Sequence, residues 1–332
     1  MKSDLHNVPF PRLYDRYRKL VDKSLAKVTR NRQPRSLYEP SGYVLDAGGK
    51  RIRPVLLLLA CEAVGGDTRE ALHASAAIEV LHNFTLVHDD IMDHAASRRG
   101  RKTVHTKWDT NIAILVGDEL LALAYRSLLQ TRSRHIQDIA RVFTEGVVEV
   151  CEGQAYDKEF ETRAAVTVDE YLLMIEKKTA KMVAVSAEIG ALIGDGTRSS
   201  IGALKRYGEH VGRAFQVQDD LLDIIADEKE LGKPVGGDLV EGKKTFLLLE
   251  ALRVASGRDK GLLLELIRNK GCEARLIPEY RRIYQETGAI AAARSRIDRD
   301  ITKAKRELRR LPASRARLML EWFADMLLNR TY

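Results

Sequence analysis

The chain has 332 residues, of which 45% are hydrophobic, 31% charged and 6% aromatic, which supplies a large core and excludes a disordered chain. Its net charge of +8 is uneven: residues 1–54 carry 13 basic and 5 acidic side chains, residues 291–332 carry 11 and 5, and the middle is net acidic. No basic stripe with interleaved aromatics, finger or helix-turn-helix pattern accompanies that charge, so nucleic-acid binding finds no support.

Cys61, Cys151 and Cys272 are too few and too scattered for a disulfide framework or a zinc site, which points to a reducing, cytoplasmic setting. The longest apolar run, Val55 to Cys61, falls far short of the roughly 20 residues that cross a bilayer. The N-terminal stretch lacks the apolar core of a signal peptide, so a soluble, unexported protein is expected. Eight prolines stand at positions 9, 11, 34, 40, 54, 234, 278 and 312, leaving 55–233 without one. At ordinary usage that stretch would hold about nine. Helix interiors exclude proline, so the gap argues for long helices and against a β-sandwich or barrel.

In chain order, Leu13, Tyr17, Leu20, Val21, Leu25 and Val28 recur at helical spacing and predict an amphipathic helix over 11–30, ended by Pro34. A short helix over 37–45 runs into Gly48-Gly49. Pro54 then opens a buried helix that Gly65-Gly66 stops, and Asp67 or Thr68 can cap the next, which reaches about residue 94. After a polar link, helices are predicted over 109–131, 135–161, 168–193 and 198–228. Beyond a Gly/Lys-rich loop over 231–245 they continue over 245–256, 259–270, 275–310 and 313–329. No β-hairpin signal, linker or composition shift interrupts the series, so residues 1–332 read as one large all-α domain.

The informative feature is a repeat. Asp89-Asp90-Ile91-Met92-Asp93 and Asp219-Asp220-Leu221-Leu222-Asp223 share one D-D-x-x-D spacing. On a helix, positions i and i+4 are neighbours, so each triplet sets two carboxylates side by side with a third flanking them. Near a helix C-terminus such like charges also oppose the peptide dipole, and something cationic should sit between them. A single triplet fits a solvated helix face as well, but HNFTLV and GRAFQVQ lead into these two, and both are largely apolar. With oxygen donors only, Mg²⁺ is the indicated cation, completed by phosphate oxygens of a substrate. Arg98-Arg99, Lys50-Arg51-Ile52-Arg53, Lys177-Lys178, Lys233, Lys243 and Lys244 could meet such a polyphosphate directly. Each alone is a solvated cation by default, Lys244 above all, and His82 alone is a core histidine.

GGKRIRP (48–54), LHNFTLVHDDIMD (81–93), RRG (98–100), KT (178–179), FQVQDDLLD (215–223) and GKPVGGDLVEGKKT (232–245) together resemble, in order and spacing, the motifs of the trans-isoprenyl diphosphate synthases, or polyprenyl synthetases. The resemblance implies an all-α isoprenoid synthase type I fold, a helical bundle around a central cavity, and a homodimer. It implies condensation of isopentenyl diphosphate with an allylic diphosphate of five, ten or fifteen carbons. The two triplets would face each other across the cavity mouth, with three Mg²⁺ ions linking them to the allylic diphosphate. Asp89, Asp93 and Asp219 would be direct ligands, and Asp90, Asp220 and Asp223 would act directly or through water. Arg98, Lys178, Lys233 and Lys243 would hold the same diphosphate, while Lys50, Arg53, His82 and Arg99 would grip isopentenyl diphosphate. The catalytic assignments fall on Lys178, Thr179 and Gln216, the last two beside the developing cation.

In this family the side chain five residues before the first triplet acts as a floor for the growing chain. Here it is Phe84, followed by the small Thr85, a pattern similar to that of synthases making geranylgeranyl diphosphate (C20); farnesyl diphosphate (C15) is the alternative. A class I terpene cyclase would carry Ser or Thr in place of Asp223 and would not need Lys50, Arg53 and Arg99. A non-catalytic helical subunit, the alternative of another class, tends to lose acid motifs that are intact here.

Overall fold

A computed structural model describes residues 9–226 and 235–329. Its helices are α1 Phe10–Leu25, α2 Arg35–Leu45, α3 Ile52–Ala63, α4 Leu72–Met92, α5 Val104–Lys107, α6 Thr110–Leu128, α7 Ile136–Thr162, α8 Val168–Ile175, α9 Lys181–Ile193 and α10 Arg198–Ile225. After residue 235 come α11 Gly237–Val240, α12 Phe246–Val254, α13 Gly257–Arg268, α14 Ile277–Glu286, α15 Ala289–Leu308 and α16 Arg315–Asn329. Among the described residues, β-structure amounts to one hairpin, β1 Ser97–Arg98 with β2 Arg101–Lys102.

The chain divides into two compact units: residues 1–143, 185–204 and 310–322, and residues 144–184, 205–309 and 323–332. In the first, α3 is the central element. Val55 to Cys61 are all fully buried, as an uninterrupted apolar run requires. Helix α4 packs on α3 and α6, and α1 lays Leu13, Tyr14, Tyr17, Val21 and Leu25 against that layer. The Tyr17 hydroxyl donates to Glu62, fastening α1 to the end of α3. In the second unit Phe246 to Leu249, Tyr207, Ile283 and Tyr284 are buried, and α12 packs on α8, α14 and α15.

Four differences from the predicted elements have physical causes. Helix α4 begins at Leu72, because Asp67 spends its carboxylate on the backbone N–H and guanidinium of Arg69 and caps no helix. The stretch 168–193 is broken by a π-turn, Glu176–Ala180. The stretch 275–310 divides at Gly288, whose φ of 76° is left-handed backbone that glycine adopts without strain. The hairpin was not predicted at all. Arg99 and Gly100, with φ of 52° and 72°, turn it in the manner of a type I′ loop, and an arginine in the first place hides the usual Asn-Gly signature.

One ionic knot in the second unit governs its stability towards acid. Asp300 is 2% exposed and faces Arg296 Nε at 2.7 Å, His210 Nδ1 at 3.0 Å and Arg213 Nη2 at 3.4 Å. Burial alone would raise its pKa, but the His210 and Arg296 hydrogen bonds and the Arg213 charge outweigh it and hold the carboxyl down at about 2. A depressed carboxyl stabilises the fold above its ordinary value and loses that contribution as pH falls through the folded value. Asp300→Asn should cost about 2 kcal/mol in urea unfolding at pH 7, with the gap to the unmodified protein closing between about pH 4 and 2.

Candidate active site

The first triplet ends the helix that carries it. Asp93 is the C-cap of α4, His94 follows with φ 51°, and the N–H groups of His94 and Ala95 bond back to the carbonyls of Ile91 and Asp90 in a Schellman arrangement. Asp89 is half-buried, Asp93 is exposed and Asp90 is buried. Asp90 accepts a 2.7 Å bond from Arg98 Nε, delivered by strand β1. Burial nevertheless leaves its pKa raised, with the Arg98 charge opposing.

The basic motif 50–53 splits into two jobs. Arg51, in the left-handed region at φ 53°, turns inward and binds Glu79 at 2.7 Å, Asp22 at 2.9 Å and the Leu45 carbonyl at 2.9 Å. Its neighbours are left at the surface side: Lys50 is exposed, its carbonyl accepting from the Tyr14 hydroxyl, and Arg53 is half-buried with Nη1 3.3 Å from His82 Nε2. Burial, then the charges of Arg53, Arg99, Arg98 and Arg51, push the His82 pKa well below its ordinary value, so the ring is neutral. At the hairpin tip Arg99 donates to the Gly48 carbonyl, which joins that loop to the hairpin. Below the triplet, Phe84 is 8% exposed and meets His88 edge-on at 4.9 Å, while the Thr85 hydroxyl is turned back onto the His82 carbonyl at 2.8 Å.

In the other unit, the π-turn places Lys178 and Thr179, a frequent use of π-bulges. Gly153 of α7 makes room for it: a Cβ there would lie 2.3 Å from the Lys178 nitrogen. Lys178 Nζ pairs with Asp157. Thr179 Oγ1 donates to Gln216 Oε1 at 3.1 Å, and Gln216 Nε2 donates to Asp220 Oδ1 at 3.3 Å. Asp220 also accepts from the Tyr171 hydroxyl and, at 3.0 Å, from the Phe246 N–H. Burial and the nearby Asp238 raise its pKa to about 7 against those bonds. Asp223, 1% exposed, accepts from the Asp238 N–H at 2.9 Å, while Asp219 is half-buried. Lys243 is exposed beside Glu241 at 2.6 Å and Asp238 at 3.7 Å. Lys233 lies outside the described residues. Lys244, expected to be solvated, is half-buried and donates to the Phe160 carbonyl, its pKa lowered by burial.

The sequence model of the polyprenyl synthetase family matches residues 34–284. The chain belongs to the polyprenyl synthetase family. It is 40% identical over 318 residues to the short chain isoprenyl diphosphate synthase of Methanothermobacter thermautotrophicus, covering 96% of this chain and 97% of that one. The crystal structure of geranylgeranyl pyrophosphate synthetase from Pyrococcus horikoshii superposes with a TM-score of 0.89 at 39% identity, covering 96% and 98% of the two chains. That of a polyprenyl synthase from Caulobacter crescentus, complexed with calcium and isoprenyl diphosphate, gives 0.88 at 28% identity, covering 97% of each. This polyprenyl synthetase is thus an all-α prenyltransferase of the isoprenoid synthase type I fold. No described helix is long and apolar enough to cross a membrane.

Among the synthetase's described residues no three acidic, histidine or cysteine side chains form a ready-made metal centre. The six triplet carboxylates are nonetheless the donor type that Mg²⁺ takes, one or two at a time, with water and phosphate completing the shell. Asp157, Tyr171 and Asp238 were missed from the sequence; each holds a motif residue, and nothing in local spacing announces such a contact. Arg51, named with the cations that could meet a polyphosphate, is instead committed to Glu79 and Asp22 inside the fold. Arg51→Met leaves Glu79, 2% exposed, without its guanidinium and should lose about 3–5 kcal/mol of stability in urea unfolding. Asp22→Asn should lose under about 1 kcal/mol, because that carboxylate is 48% exposed.

Proposed function

We propose that this prenyltransferase condenses isopentenyl diphosphate head-to-tail with an allylic diphosphate and releases geranylgeranyl diphosphate, residues 1–332 acting as one catalytic domain. The observation that carries the reading is the pair of acid triplets near the ends of two long helices, the first beside Arg98 and the second tied through Gln216 to Thr179, the residue after Lys178. Mg²⁺ held by Asp89, Asp93 and Asp219, three ions in this reading, would supply Lewis-acid stabilisation of the leaving diphosphate. Asp90, Asp220 and Asp223, each already hydrogen-bonded within the protein, orient those ligands or reach the ions through water.

Arg98, Lys178 and Lys243, with Lys233, bind the allylic diphosphate and neutralise charge as the carbon–oxygen bond breaks. Lys50, Arg53 and Arg99 bind the diphosphate of isopentenyl diphosphate, and neutral His82 adds a hydrogen bond without a further positive charge. Thr179 donates its hydroxyl hydrogen bond to Gln216, which leaves the lone pairs of the hydroxyl oxygen for the positive carbon. Attack by the isopentenyl double bond forms the new carbon–carbon bond, and the proton released next goes to the departing diphosphate. Buried Phe84 supports a twenty-carbon limit, as does the likeness to a geranylgeranyl pyrophosphate synthetase. A homodimer is supported by Ile114, Leu115 and Leu129 on and just beyond α6, 43%, 54% and 62% exposed. The three free thiols suit a cytoplasmic setting.

Incubation with Mg²⁺, isopentenyl diphosphate and each C5, C10 and C15 allylic diphosphate should yield a C20 product; arrest at C15 would establish the farnesyl alternative. Cyclic hydrocarbon formed without isopentenyl consumption would overturn the assignment. Asp89→Ala should lower kcat about a thousandfold, the several kcal/mol of a lost Lewis acid. Phe84→Ala should lengthen the product by at least one C5 unit, whereas unchanged length would put the floor elsewhere.

A further inference from the structure

The β1–β2 hairpin presents Arg98 and Arg99, yet little of it is self-supporting. Each strand has two residues, paired Ser97 with Lys102 and Arg98 with Arg101, and an isolated ribbon of that size is unstable in water. Its inner side is not tightly packed either: a cavity of about 40 Å³ lies behind it, lined by Asn83, Val87, Asp90, Arg98, Val104 and Tyr43 among others. Seating of the hairpin therefore depends on discrete contacts.

Tyr43 of α2 supplies two of them, and a third to α5 just beyond. Its hydroxyl donates to the Lys102 carbonyl at 2.9 Å. The Arg101 guanidinium lies 3.8 Å from its ring centroid, and Lys107 Nζ, just beyond the hairpin on α5, lies 3.9 Å from it. Trp108 meets the same ring edge-on at 5.2 Å and the same lysine at 4.3 Å. Both residues of β2 are thus held to α2, and β2 in turn pairs with the strand that carries Arg98. Five residues past Tyr43 is Gly48, whose carbonyl takes the Arg99 guanidinium. Helix α2 and the loop that follows it grip the hairpin at its base and at its tip.

We propose that Tyr43 is a positioning residue for isopentenyl diphosphate binding: by clamping β2 through Arg101 and Lys102 it keeps Arg99 in register with Lys50 and Arg53. The proposal rests on the reading that those three cations bind that substrate. Without the clamp the hairpin spends part of its time unseated, and the apparent affinity falls by the seated fraction, while saturating substrate still draws every molecule into the competent state. The effect is a KM effect, in contrast to the loss of kcat that follows damage to the ionising machinery.

Steady-state kinetics on full-length Tyr43→Leu, Tyr43→Phe, Arg101→Gln and Arg99→Gln test it, with tryptic cleavage at the hairpin as a direct readout of seating. Tyr43→Leu should raise KM for isopentenyl diphosphate about fivefold to tenfold, the loss of two cation–π contacts, with kcat within twofold and faster cleavage after Arg98–Lys102. Tyr43→Phe keeps the ring and should restore most of the affinity. Arg101→Gln, which leaves α2 intact, should reproduce part of the KM rise even if Tyr43→Leu does not fold. An unchanged KM in Tyr43→Leu and Arg101→Gln alongside a raised KM in Arg99→Gln would overturn the positioning role and leave the substrate site standing. An unchanged KM in all of them would overturn both.

Discussion

The aspartates that close α4 and α10 lie where a helix is least hospitable to negative charge, since the unpaired carbonyls of the last turn already make that end electronegative. Three carboxylates per helix end need cations or hydrogen-bond donors, and the structure shows some that the protein itself provides. Arg98 meets Asp90 directly; Asp220 and Asp223 are met by hydrogen-bond donors, from Tyr171, Gln216 and the backbone of Phe246 and Asp238. In each triplet part of the charge is thereby absorbed by the fold. Carboxylate oxygens of this kind are the donors that Mg²⁺ takes.

The same division of labour runs through the basic motifs. In Lys50-Arg51-Ile52-Arg53, Lys50 is exposed and Arg53 half-buried beside His82, while Arg51 is committed to a buried carboxylate from a left-handed backbone. Such a pair adds little net stability compared with an apolar substitute, but removing one partner is costly, so its value lies in fixing one geometry. In the π-turn the extra residue re-aims Lys178 and Thr179, and Gly153 exists to let α7 approach that widened backbone.

This explains what could and could not be read from the sequence. Helices followed from spacing: α1 buries Leu13, Tyr17, Val21 and Leu25 as their periodicity requires, and the described part of the proline-free stretch, 55–226, is largely helical. The motifs were legible because each is a short run of fixed residue types at fixed spacing. The partners were not. Asp157 opposite Lys178, Tyr171 opposite Asp220 and Glu79 opposite Arg51 are 21, 49 and 28 residues away from them in the chain, and only packing brings them together. The hairpin and the π-turn were lost for a related reason: both depend on single backbone conformations, at Arg99 and at Glu176–Ala180, that hydrophobic periodicity does not encode.

If the acid triplets near the ends of α4 and α10 hold metal for the substrate, an allylic diphosphate should be bound only when a divalent cation comes with it. Calorimetric titration with an unreactive thio-analogue of an allylic diphosphate, in Mg²⁺ and again in EDTA, measures this without any turnover. The account predicts tight binding in Mg²⁺ and its near disappearance in EDTA. Equal affinity in the two buffers would mean that the basic side chains alone bind the diphosphate, and would contradict the role given to the two acid triplets.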